Sequence, residues 1–189
     1  ATFIKDKVLR LDEENRIIYL RDNPSIFFDV LSINSGSISN IKNIQLENDL
    51  SIFPVKPISS FLSKLNLIDE IIENSTNKKI IIIGGGVAAY ELSFSLYKRY
   101  QGKVSLSIIS SQQLTERNLN TKTVNKLKKI AKNLNINLIS KKALSINNSE
   151  IKLNNKEKIK SDLVLLSTGS SLPNWLENSN LEILGNSIV

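Results

Sequence analysis

The sharpest change of pattern along the chain falls at Ile80–Ile83, four consecutive isoleucines followed by Gly84, Gly85 and Gly86 and then by VAAYELSFSLYKRY. An unbroken β-branched run predicts a strand buried on both faces, as at the centre of a parallel sheet. From Val87 the apolar residues fall at helical spacing, and Ala88, Leu92, Leu96 and Tyr100 predict a helix to Tyr100 that lays this face on the sheet. A second strand is predicted over Lys103–Ser110. Val124, Leu127, Ala131 and Leu134 then mark the buried stripe of a helix over Asn120–Leu134, and Ile136–Ile139 reads as a third strand. The succession is β-α-β-α-β, with right-handed crossovers expected.

The flanking segments alternate differently. Thr2–Asp12 and Arg16–Arg21 predict a hairpin with Val8, Leu9, Leu11, Ile17, Ile18 and Leu20 as core positions, and Ile26–Asn34 predicts a further strand. Ser39–Asn48 is polar and reads as a linker. Pro57 suits a helix start, because its missing N–H would be unpaired there anyway. The helix is predicted from Ile58 to Asn74, with Ile58, Phe61, Leu62, Leu65, Ile68 and Ile72 on one side. Lys142–Ile146 and Glu150–Leu153 predict a hairpin over Asn147–Ser149, with short strands at Glu157–Lys160, Asp162–Ser167 and Ser187–Val189. The expected class is α/β: a Rossmann-like parallel sheet with helices and an antiparallel β-meander, plus a partial second domain.

Composition narrows the chemistry. With 189 residues and 41% hydrophobic content the chain can build a core. It has no Cys and no His, which removes disulfides, thiolate nucleophiles, the commonest zinc ligands and the commonest general base. The net charge of +7 invites a nucleic-acid reading. Its densest cluster, Lys126, Lys128, Lys129 and Lys132, shares a helix with the apolar stripe above, however, and reads as that helix's solvated face. With no aromatic platform beside the lysines, no nucleic-acid partner is expected. No apolar run reaches the length of a transmembrane segment and the start does not read as a signal peptide, so a cytoplasmic setting is the default. The chain has no Met and begins at Ala1, which predicts an excised or truncated piece of something longer.

The glycine turn carries the candidate chemistry. Gly84, Gly85 and Gly86 allow backbone amides to approach a diphosphate, and the helix beginning at Val87 and Ala88 aims its positive end at the same place. Ala89 takes the third position of G-x-G-x-x-G/A, where a small side chain lets the helix lie close on the strand. No G-K-[ST] follows, so the loop is of the dinucleotide type and not a P-loop. A plain Gly-rich turn is the competing reading. At the end of the second strand, where an acid would take the ribose hydroxyls of NAD, the chain has Ser110-Ser111. Gln112, Gln113 and Arg117 follow. Cofactor preference between NAD and NADP is open on these residues.

The order FFDVLSINSGS, FPVKP with a following helix, IIIIGGGVAAYE and SDLVLLSTGSSLPNWL resembles the FAD-dependent pyridine nucleotide-disulfide oxidoreductases. The PVKPISSFL stretch is similar to the NADH dehydrogenase-like type II group, including members joined to selenide, water dikinase (selenophosphate synthetase). The resemblance covers nearly the whole chain and implies a glutathione-reductase-like nucleotide domain. It implies residues 1–45 as the trailing part of an FAD domain, 46–178 as the NAD(P)H-binding domain, and 179–189 as a return strand towards the FAD domain. Gly84, Gly85, Gly86, Val87, Ala88 and Ser110 would lie along NAD(P)H, Glu91 near its nicotinamide half, and Thr168 and Gly169 beside it. A solvated helix residue and a plain turn are the alternatives for the last three. FAD would bind only in the full-length protein, because the motifs that hold flavin phosphates are missing, and the fragment is expected to be inactive alone. The partners implied are a pyridine nucleotide, the remainder of the FAD domain and a fused selenophosphate-synthetase domain, with peripheral membrane attachment of the whole protein compatible. No metal site is expected. The rival is a non-catalytic nucleotide-binding or regulatory module of a larger enzyme.

Overall fold

The computed structural model describes residues 1–47, 51–73, 77–112, 119–147, 150–177, 179–184 and 187–188. Two compact units divide the chain: Ala1–Ile38 with Ser170–Val189, and Ser39–Gly169. In chain order the strands of the first stretch are β1 (Val8–Asp12), β2 (Ile17–Leu20) and β3 (Ile26–Phe27), with β4 (Ile38–Ser39) at the crossing into the second unit. That unit holds β5 (Gln45–Leu46), β6 (Ile52–Pro54), α1 (Ile58–Leu62), α2 (Leu65–Glu73), β7 (Lys79–Ile83), α3 (Val87–Arg99), β8 (Ser105–Ile109), α4 (Thr121–Asn133), β9 (Asn137–Ile139), β10 (Ala143–Asn147), β11 (Glu150–Leu153), β12 (Lys158–Lys160) and β13 (Leu163–Leu166). The last stretch returns through β14 (Ser170–Ser171) to α5 (Asn174–Glu177), β15 (Ile183–Leu184) and β16 (Ser187–Ile188).

The second unit is three layers deep. Its middle layer is a five-stranded sheet in the order β6-β13-β7-β8-β9, parallel throughout. Side chains alternate across a strand, so the isoleucine run serves both faces. Ile80 and Ile82, with Leu163 and Leu165, pack under the helices, against Phe61, Ile68, Leu96, Val124 and Ala131. Ile81 and Ile83, with Val164 and Leu166, pack against Ala143, Ile146, Ile151 and Leu153 of the antiparallel meander. The meander is β10–β11–β12, to which β5 adds a parallel edge strand in the order β12-β11-β10-β5, and this sheet covers the other face. This is the expected α/β architecture, and it explains why the run is apolar at every position.

Several local expectations are corrected. The helix predicted over Ile58–Asn74 breaks at Ser63–Lys64, where Ser63 Oγ donates to Ser60 O at 3.0 Å. Ile58 and Leu62 consequently stand 58% and 56% exposed, while Phe61, Ile68 and Ile72 are buried; Asn74 lies outside the described residues. On α3 the buried residues are Ala89, Tyr90, Ser93 and Leu96. The helix is turned one residue from the predicted face, because it is Ala89 that meets the sheet. The linker reading of Ser39–Asn48 fails where Gln45–Leu46 pairs with β10 and Ser39 is buried. β6 was not anticipated; Pro54 is tolerated there because β6 is an edge strand.

In the first unit, β1, β2 and β3 form a small antiparallel sheet. Thr2–Lys7 is not strand, since the Asp6 carboxylate accepts from Asp22 N and Asn23 Nδ2 and holds this stretch to the following turn. The strand predicted over Ile26–Asn34 stops at Phe27. Among the predicted core positions only Leu11 is buried. The short helix α5, which packs on β1, was missed.

Candidate functional site

The glycine turn sits where three strand ends meet. Gly84 N donates to Ile109 O at 2.9 Å, extending the β7–β8 ladder one residue beyond β7. Gly84 has φ +144°, and a Cβ there would lie 2.0 Å from Ser167 O, so any side chain would be strained as well as blocked. At Gly85 a Cβ would lie 2.1 Å from Ser110 Oγ and 2.4 Å from Gln112 O. The protein's own packing therefore accounts for both glycines. Gly86 is different: its backbone is extended, at φ −81° and ψ 173°, and a Cβ there would meet nothing within 4 Å.

Gly86 is the N-cap of α3 and has no side chain to cap it. The first amides of a helix find no acceptor within it. Ala89 N turns back to Gly86 O at 3.1 Å, and the first turn carries no acidic residue to offset the positive helix end. Amide donors at Gly86, Val87 and Ala88 thus line the mouth of a cleft of about 760 Å³. A space of this size suits a nucleotide-sized ligand.

On one side the cleft is bounded by Ser110, Ser111, Gln112, Lys141 and Lys142, at the ends of β8 and β9. Ser110 Oγ donates to Gln112 O at 2.5 Å and accepts from Gln112 N at 3.2 Å. On the other side stand Ser167, Thr168, Gly169, Asn40, Val55 and Lys56. This wall is cross-braced: Ser39 Oγ donates to Leu166 O at 3.1 Å and accepts from Lys56 N at 3.2 Å, and Thr168 Oγ1 donates to Asn40 O. The Lys56–Pro57 peptide is cis. The described lining residues include Lys56, Lys141 and Lys142 and no carboxylate, which gives this part of the cleft a positive character.

Of the residues read from sequence, Gly84, Gly85, Gly86, Val87, Ala88, Ser110, Thr168 and Gly169 are brought together along this cleft. Glu91 is not among its lining and stands exposed on α3. Gln113 and Arg117 lie outside the described residues, as do Asn148 and Ser149 of the hairpin turn. Asn40, Lys56, Lys141 and Lys142 were missed. For the lysine pair a signal existed, since it directly follows the third strand and strand ends line such crevices. Lys126, Lys129 and Lys132 are exposed on α4. Among the described residues no three His, Cys, Asp or Glu side chains are grouped to hold a metal, and no helix is long and apolar enough to cross a membrane.

A family model described as pyridine nucleotide-disulphide oxidoreductase matches residues 1–189. No curated protein sequence matches the chain. Among solved structures, the ferredoxin reductase for the CYP199A2 system from Rhodopseudomonas palustris is similar at 15% identity and TM-score 0.74, over 96% of this chain and 45% of that one. An FAD-dependent pyridine nucleotide-disulphide oxidoreductase from Desulfovibrio vulgaris is similar at 13% identity and TM-score 0.64, over 98% and 48%. Reduced Bacillus anthracis CoADR-RHD is similar at 13% identity and TM-score 0.63, over 96% and 33%. At these identities the likeness is one of fold, and the chain spans a third to a half of the length of these structures.

Proposed function

Because the chain belongs to the pyridine nucleotide-disulphide oxidoreductase family, we propose that the cleft takes the diphosphate of NAD(P)H and that the chain is the nucleotide-binding portion of an FAD-dependent, NADH dehydrogenase-like oxidoreductase. The observation that carries this reading is Gly86. Neither its backbone nor any neighbouring atom requires a glycine, whereas a diphosphate resting on the helix start would leave no room for a Cβ.

The residues present fit that ligand. The amides of Gly86, Val87 and Ala88 would donate to its phosphate oxygens, reinforced by the positive end of α3. The Thr168–Gly169 turn would support the nicotinamide half, with Glu91 nearby, because the β13 end lies opposite Ser110 across β7. Fixing the diphosphate at the centre sets how far each half reaches and so orients the reactive ring. A bound pyridine nucleotide would supply a hydride, for which FAD in the full-length protein would be the acceptor. The first unit, residues 1–38 and 170–189, would belong to the FAD domain and residues 39–169 to the NAD(P)H domain, in place of the bounds 1–45, 46–178 and 179–189 expected from sequence, with the remainder of the FAD domain as partner. A fused selenophosphate-synthetase domain is the further partner implied by the sequence likeness.

Calorimetric titration of the 189-residue chain with NADH and NADPH tests the reading. Micromolar binding is expected, reduced at least ~10-fold by Gly86→Val, since the new side chain would occupy the place of the phosphates. That variant should remain folded, with a stability loss of about 1 kcal/mol or less from the poorer N-cap. Absent or millimolar binding would favour the non-catalytic module. The chain should purify colourless and without turnover; stoichiometric flavin would overturn the division of cofactors between domains.

A further inference from the structure

The adenosine side of the cleft carries a second message. In a fold of this kind the residue ending the strand after the glycine helix meets the adenosine ribose, and a carboxylate there accepts the 2′- and 3′-hydroxyl protons of NAD. Here that strand is β8 and the position is Ser110. A carboxylate presents several lone pairs at once. Ser110 Oγ has already given its only proton to Gln112 O and accepts Gln112 N. It is poorly placed to receive two ribose hydroxyls, and the described lining of the cleft has no Asp or Glu to replace it.

Positive charge stands beside it instead. Ile139, the last residue of β9, pairs with Ile109 at the end of β8. Its carbonyl accepts both Ser110 N and Lys141 N, each at 3.0 Å. One oxygen therefore ties the ribose-facing position to the start of the Lys141-Lys142 pair, and turns the chain back so that both lysines line the cleft. Among the described residues neither lysine is in an ion pair.

We infer that this cleft selects nucleotides carrying a 2′-phosphate on the adenosine ribose, with the ammonium groups of Lys141 and Lys142 as its counter-charge. The inference rests on the dinucleotide reading above and deepens it, from NAD(P)H to NADP(H). Lysine serves here as a point charge on a flexible stem, so the phosphate needs no bidentate geometry. Both lysines are exposed, so the preference is sensitive to ionic strength.

NADP⁺ and NAD⁺ differ only in the 2′-phosphate and are the probes. Titrated calorimetrically at low salt into the intact chain, NADP⁺ should bind at least ~10-fold more tightly, as charge-assisted contacts of this kind allow. Rising salt should shrink that ratio. The double variant Lys141→Ala/Lys142→Ala should bring it to within about 3-fold by weakening NADP⁺ alone, and Lys141→Arg/Lys142→Arg should restore it. Thermal melts of both variants establish that they fold. Equal affinity in the wild type, or a preference for NAD⁺, overturns the inference while leaving the dinucleotide site intact. A preference that survives the double alanine variant places the counter-charge elsewhere and overturns the assignment. Binding of neither nucleotide overturns the dinucleotide reading and this inference with it.

Discussion

In the parallel sheet of the second unit, Ile80–Ile83 and Leu163–Leu166 are at most 5% exposed, whereas in the first unit β1 buries only Leu11 while Leu9 is 49% and Phe27 75% exposed. Both regions are rich in apolar side chains. The difference is cover: the parallel sheet has helices on one face and the β10–β12 meander on the other, while β1–β3 is a three-stranded ribbon with one small helix, α5, against it. Hydrophobic residues contribute to stability only in proportion to the area removed from water, so the stability of the chain is concentrated in the second unit. The sharpest way to break this comparison is to truncate one residue in each region. Ile82→Ala or Leu165→Ala removes a side chain that is 0% exposed and should cost about 2–5 kcal/mol in urea unfolding. Phe27→Ala should change stability by less than about 0.5 kcal/mol, as for other surface positions. A comparable loss for Phe27→Ala would mean that the first unit is as strongly coupled to the cooperative core as the sheet is.

The same contrast recurs on a smaller scale within the glycine turn, where packing requires Gly84 and, on the function proposed above, the ligand requires Gly86. Gly84→Ala forces a Cβ against Ser167 O at a φ of +144° and should destabilise by about 1–3 kcal/mol. Gly86→Ala should cost about 1 kcal/mol or less, from the poorer N-cap, and act mainly on nucleotide binding. Equal loss of stability in the two variants would remove the distinction on which the functional reading rests.

How much of this was readable beforehand follows from how local each signal is. The isoleucine run, the glycine turn and α4 with its Asn120 cap, whose Oδ1 accepts Thr123 N at 2.8 Å, are set by neighbouring residues, so pattern alone locates them. The strand Gln45–Leu46 is visible only through its partner Ile146, about a hundred positions along the chain. Across the break between α1 and α2, Phe61, Ile68 and Ile72 are buried while Ile58 and Leu62 are exposed, which the apolar spacing alone does not distinguish. The cleft shows both cases together. Gly84–Ala88 follow one another in sequence, while Asn40, Lys56, Lys141 and Lys142 reach the cleft only because non-adjacent strands end side by side. Glu91 shows the converse: a motif position is readable, but the direction its side chain takes on the helix is a tertiary fact.

A weaker joint ties two of the covering helices to each other. Asp69 on α2 accepts from Arg99 Nε at 3.0 Å and Nη2 at 2.5 Å, and from Tyr100 Oη at 2.8 Å, joining α2 to the end of α3. The Arg99 guanidinium, foremost, and then the Tyr100 hydroxyl hold the Asp69 carboxyl below its usual value of 3.8, against the opposing effect of partial burial. A depressed folded-state value means that this contribution is present above the unfolded value near 3.8 and is lost as pH falls through the lower folded value. Arg99 is 47% exposed, so solvent screening limits the effect. Asp69→Asn should cost about 1 kcal/mol or less at neutral pH. The difference between wild type and variant should shrink as the medium is taken below the folded-state value of Asp69. A difference independent of pH would mean that packing of the side chain, not its charge, joins the two helices.

Glu91 gives the smallest effect and the finest test of how the cleft is divided. It follows Ala88 by three residues on α3, yet it stands exposed and outside the cleft lining, so any contact with a nucleotide would be at the end of a flexible side chain. Such a contact, if made to the nicotinamide half, is worth about 0.5–1.5 kcal/mol at most. Glu91→Gln should therefore weaken NADPH binding by no more than about 10-fold and leave the binding of adenosine 2′,5′-bisphosphate, which has no nicotinamide, unchanged. Weakening of both ligands together would place Glu91 on the adenosine side and reverse the orientation assigned to the nucleotide. The Ser110–Lys142 wall would then face nicotinamide, and the Thr168–Gly169 turn adenosine.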